Sequence, residues 1–127
     1  MFGSQVIQSI VAVLGDPGAD RTAVVWRAPA AGEILTAKAV DNVGLAAGTE
    51  NYFTVALQNG GTAGTATTTV ASAIGGTPGW TQYSPKSFTI SEGTFAAGEY
   101  IRVVYDETGT CAQHVVVMFD YVLGIGA

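Results

Sequence analysis

Cys111 and His114 are the only thiol and the only imidazole in this 127-residue chain, and they lie three positions apart. Such a pair can serve as nucleophile and base only if the two groups touch and a third group orients the base. In an extended segment, side chains three apart point to opposite faces, so the pair converges only if the segment turns. The residues around it favour a turn cysteine over a catalytic one. Two ligands of this type also fall short of the three or four that zinc takes, so one subunit cannot build a zinc site. A symmetric assembly would still be able to gather three copies of His114 on its axis.

Other candidates each have a plainer reading. Asp106-Glu107-Thr108-Gly109-Thr110 looks like a fragment of a calcium loop, yet it lacks oxygen ligands at regular spacing. As a hairpin turn it has the expected Asp and Gly. Paired carboxylates for glycoside cleavage must converge across a cleft. Ten acidic residues offer many possible pairs and single out none. Trp26, Trp80, Tyr83 and Tyr52 are candidates for a sugar-stacking platform. Trp80 and Tyr83 sit between Pro78 and Pro85 in a loop, where they can bind a ligand, meet a subunit or cap the core. Gly60-Gly61-Thr62-Ala63-Gly64 is not a phosphate loop, because no Lys-Ser/Thr follows it. No catalytic, cofactor-binding or metal-binding residue is therefore assigned.

The elements that would position these residues are strands. Strand-favouring Val, Ile, Phe, Tyr, Trp and Thr number 49, against 22 for Leu, Met, Glu, Gln, Lys and Arg. Apolar runs recur at Gln5–Leu14, Thr22–Ala28, Ile34–Asn42, Tyr52–Gln58, Thr67–Ala73, Ser87–Ile90, Tyr100–Asp106 and His114–Leu123. Gly, Pro, Asn and Asp separate them, at a spacing that suits a sandwich or barrel. The first run also fits a helical stripe, but its β-branched residues argue for a strand. Tyr52–Gln58 has the clearest alternation, with Phe53, Val55 and Leu57 on one face. In the last run Val115, Val117, Phe119, Tyr121 and Leu123 form a core face. The opposite face carries His114, Val116, Met118, Asp120 and Val122 and is too apolar for free exposure. Either a loop covers it or a neighbouring subunit does. The phrase Ala-Ala-Gly recurs at 30–32, 46–48 and 96–98, each time before a strand, and predicts a positive-φ glycine at three strand entries.

Size and charge exclude several classes. One domain of this mass should expose roughly 6,300 Å² when folded, enough burial for a core without disulfides or metals. The lone Cys111 cannot form an internal disulfide. The net charge is −5, and the five basic residues are scattered. No basic stripe is available for nucleic acid or an anionic membrane surface. No stretch of ~18 apolar residues reads as a transmembrane helix, and Met1–Gln8 does not read as a signal peptide. Only 12% of residues are charged against 48% hydrophobic, which points to a surface that meets a partner.

Several phrases together carry a resemblance across residues 24–124. They are Trp26-Arg27-Ala28-Pro29, Gly32-Glu33-Ile34, the run Tyr52–Thr65, Gly79-Trp80, Gly98-Glu99, Tyr105–Thr110 and Asp120–Gly124. The chain resembles the small β-sandwich virion proteins of tailed bacteriophages, in particular capsid decoration (cement) proteins. The resemblance implies one antiparallel β-sandwich of about eight strands over residues 1–127, jelly-roll-like and without an active site. It further implies a homotrimer on the capsid exterior, made in the host cytoplasm and bound to the major capsid protein. The expected contacts are His114, Val116 and Met118 on the last strand, with Trp80 and Tyr83 as a second candidate. The alternative is a receptor- or carbohydrate-binding module of a head fibre or tail.

Overall fold

The computed structural model describes residues 6–124. Nine strands follow one another: β1 (Gln8–Gly15), β2 (Arg21–Arg27), β3 (Gly32–Asp41), β4 (Tyr52–Asn59), β5 (Thr68–Gly75), β6 (Lys86–Ser87), β7 (Thr94–Phe95), β8 (Tyr100–Thr108) and β9 (Val115–Leu123). Among the described residues there is no helix. Every pairing is antiparallel. One sheet has the order β1-β9-β3-β6, with β7 also on β3, and the other β2-β8-β4-β5.

The pairings nest like a long hairpin. β4 pairs with β5, β3 with β6 and β7, β2 with β8, and β1 with β9. Rolling this ribbon over itself adds the β3–β9 and β4–β8 pairings that close the two sheets. With β6 and β7 counted as one interrupted strand, this is the eight-stranded jelly roll.

Periodicity explains the core. Phe53, Val55 and Leu57 of β4, Ile101, Val103 and Tyr105 of β8, and Val115 and Val117 of β9 are fully buried between the sheets. The first run is a strand as expected, from Gln8; Gln5, where it was expected to begin, lies outside the described residues. Two expectations need correction. The Ser87–Ile90 run forms a strand only at Lys86–Ser87, with one more bond from the Phe88 N–H to the Ala37 carbonyl, and Ile90 instead bridges to Ala71 of the other sheet. Thr94–Phe95 is a further strand that two residues were too short to signal.

The Ala-Ala-Gly prediction holds at Gly98 (φ +83°) but not at Gly32 or Gly48. Gly32 is needed for another reason. It lies inside β3, where a Cβ would run into the Val122 carbonyl and the Phe95 ring. The folded chain exposes 6364 Å², close to the surface anticipated from its mass.

Candidate functional site

Cys111 and His114 diverge. Cys111 is buried, and its thiol lies 3.9 Å from the Thr108 carbonyl. Burial pushes the thiol pKa up, and the carboxylates of Glu107, Asp41 and Asp16 add to the effect. A thiol held in its neutral form is a poor nucleophile. His114 is exposed and turned the other way, with Nδ1 3.4 Å from the Asn42 amide. Its backbone N–H donates to Asp41 Oδ1, and its carbonyl accepts from Asn42 N.

The same Asp41 organises this end of the molecule. It is fully buried, and Oδ1 also accepts the Val43 N–H at 3.0 Å. The Gln113 amide, oriented as its neighbours require, donates to the Gly44 carbonyl and to Asp41 Oδ2. These bonds tie the end of β3 to the segment that leads into β9. The Asp106–Thr110 phrase forms the end of β8 and a turn at Gly109, where φ is +75°. Among the described residues, no group of three or more His, Cys, Asp or Glu side chains is placed to hold a metal ion.

The aromatic candidates separate. Trp80 is 3% exposed and lies face to face with Phe53, centroids 4.7 Å apart and planes 6° apart. Its Nε1–H donates to the Phe53 carbonyl, and Lys86 Nζ sits 5.4 Å from the ring centroid. The expectation that Trp80 supplies a surface contact is therefore corrected. Two antiparallel hydrogen bonds between Leu45 and Trp80 pull the loop down onto the core. Trp26 packs edge-on to Phe95 and Phe119 and tilted against Tyr121. Trp80 cannot offer its face to a sugar from this position, and Trp26 is half-buried against the core. Tyr83 remains at the surface, 68% exposed with φ +64°. Tyr52 is half-buried on β4.

A different arrangement stands out on the outer face of the sheet that contains β9. The register forms three rows across β1, β9 and β3. They are Val13–Val116–Val40, Val11–Met118–Lys38 and Ser9–Asp120–Thr36. The last row is polar and internally bonded: Ser9 Oγ and Thr36 Oγ1 both donate to Asp120. The other two rows are almost wholly apolar. Val11 and Val13 are each 63% exposed, and Val116 and Met118 lie half-buried between their neighbours. A groove of about 310 Å³ crosses this face between Met118, Asp120 and Lys38.

The face that the alternation of β9 singled out thus brings Val116 and Met118 together, while His114 sits beyond its end. Sequence reasoning missed Val11 and Val13. Their alternation within β1 was visible, but which strand lies beside β9 is a matter of topology. Comparison with family models, with curated proteins and with solved structures finds no match to this chain.

Proposed function

We propose that the protein is a capsid decoration protein of a tailed bacteriophage, which docks the outer face of its β1-β9-β3 sheet on the assembled head. One observation carries the reading. A jelly roll with well-buried cores on both sheets nevertheless leaves a contiguous apolar area at Val11, Val13, Val116 and Met118 open to water. Such an area on a small domain marks a surface that meets another protein. Its polar margin, Ser9–Asp120–Thr36, supplies the hydrogen-bonding rim that protein interfaces have.

The mechanism is mechanical. A protein that binds the assembled shell and not its free subunits stabilises the assembled state by mass action. Burying Val116 and Met118 against the shell contributes on the order of 1 kcal/mol each, since each is already partly covered. Many copies per shell then add up.

Co-sedimentation with undecorated shells of the encoding phage tests this. The wild-type protein should pellet with shells, and Val116→Asp and Met118→Glu should remain in the supernatant while still folded. Wild-type protein that ignores shells, or charged variants that bind as well as wild type, would sink the proposal.

A further inference from the structure

The four sheet edges are not alike. β2 begins and ends with Arg21 and Arg27 and breaks register between Val24 and Trp26. β5 breaks register twice against β4. The far side of β5 is partly occupied, because Ser91 and Glu92 donate to the Val70 carbonyl and Ala71 bridges Ile90. β6 and β7 are two residues each. Charges, bulges, cover and shortness are the devices by which edges avoid pairing with another chain.

β1 has none of them over most of its length. It is eight residues long, Gln-Ser-Ile-Val-Ala-Val-Leu-Gly, without a charge or a proline. Its one irregularity lies at the end, between Val13 and Gly15, where Arg21 Nη1 also donates to the Leu14 carbonyl. Among the described residues no strand lies on its outer side. Among the described residues, Val6, Ile7, Val11 and Val13, half of the eight large exposed hydrophobic residues, fall within or just before it.

We infer that β1 is a self-pairing edge, which joins a second copy of this chain by antiparallel β1–β1′ addition about a two-fold axis at Ala12. Three observations select a second copy. A two-fold axis at Ala12 sets each residue of β1 opposite the one equally far on its other side, and in an uncharged strand no such pair opposes like charges. The outer-face valines flank Ala12 symmetrically, so the axis sets Val11 opposite Val13 of the partner subunit, twice over, as β-branched cross-strand pairs on the same face. The area counts as well. Val11 and Val13, each exposed by nearly two-thirds, offer about 100 Å² apiece, roughly a quarter of the ~800 Å² per partner in a standard interface, to which the paired strand backbone adds.

The pairing runs the two β1-β9-β3 sheets into one and merges their outer apolar faces. This inference concerns the chain alone and does not rest on the proposed capsid role.

Sedimentation velocity and cysteine pairing on the isolated protein test it. Wild type should sediment as a dimer of about 26 kDa, twice the chain mass of 13.0 kDa. Val11→Lys and Val13→Lys, both at exposed positions, should fold and sediment as monomers. Register is read by oxidation. Val11→Cys mixed with Val13→Cys should form a disulfide-linked dimer, and each alone should form at least tenfold less. The native Cys111 is 4% exposed and does not compete. A wild-type monomer at 100 µM overturns the inference, as does a trimer of about 39 kDa. So does a dimer that survives both lysine substitutions, or one that cross-links equally well in the unmixed variants.

Discussion

Replacing Trp80 with alanine distinguishes a core tryptophan from a surface one. The ring is 3% exposed, stacked on Phe53 and hydrogen-bonded through Nε1 to the Phe53 carbonyl. A buried tryptophan removes about 150–250 Å² from water. At about 25 cal/mol per Å² this corresponds to roughly 4–6 kcal/mol of transfer free energy. Stacking adds about 0.5–1.5 kcal/mol. The alanine methyl recovers part of the first term, and relaxation of the loop around Leu45 recovers more. A net loss of about 3–5 kcal/mol follows, the range found for such truncations. In a domain of this length that lowers Tm by roughly 10–20 °C.

Urea unfolding followed by Trp26 fluorescence measures it. The midpoint should fall while the m-value holds, which assigns the change to stability. Trp80→Phe should recover most of the loss, because a phenyl ring keeps the stack and forgoes the Nε1–H bond and the smaller part of the buried area. A surface tryptophan would behave differently, since substitutions away from the core stay within about 0.5 kcal/mol. A loss below about 1 kcal/mol would refute the burial argument and return Trp80 to the candidates for ligand contact.

Gly75→Ala should cost about 2–4 kcal/mol in the same assay. Gly75 has φ +91°, and an added Cβ would stand 2.6 Å from the Trp80 ring, with the backbone strain alone worth about 1 kcal/mol or more. Asp41→Ala should cost about 2–3 kcal/mol, because the Val43 and His114 N–H groups lose their buried acceptor; loss of amide protection at these two positions checks the cause. Stability should fall in alkali. Burial and then Glu107 raise the Tyr105 hydroxyl pKa, so the fold holds a proton that the unfolded chain releases above about pH 10. This contribution is whole below that pH and declines above it, by up to about 1.4 kcal/mol per pH unit. The raised Cys111 thiol starts the same trend nearer pH 9. In Tyr105→Phe the slope above pH 10 should flatten, and an unchanged slope would assign it elsewhere.

Much of this protein was legible in one dimension. Period-2 alternation depends only on which side of the chain is apolar, so the core faces of β4 and β8, and of β9 as far as Tyr121, could be read residue by residue; beyond it the alternation breaks, with Val122 buried and Leu123 half-buried. The glycine-rich breaks between the runs delimited the long strands to within two or three residues. A sandwich or barrel followed from the number and spacing of such strands. The apolar outer face of β9 was visible for the same reason, as an alternation with too little polar contrast.

Tertiary structure decided what depends on neighbours distant in sequence. Trp80 lies in a segment rich in Gly and Pro that reads as an exposed loop. Its burial rests on pairing with Leu45, 35 positions earlier, and on the space that Gly75 leaves for its ring. Asp41 reads as a surface charge at a strand end. It is buried because three N–H donors from the β9 approach and its own turn converge on it. β1 gained its role in the same way. Its valines are ordinary strand residues until the rolled ribbon sets β1 beside β9 and at the rim, with one flank paired and Val11 and Val13 left in water. Alternation along a strand is a local property of its backbone, whereas which strand lies at an edge is a property of the winding, and no short stretch of sequence encodes it.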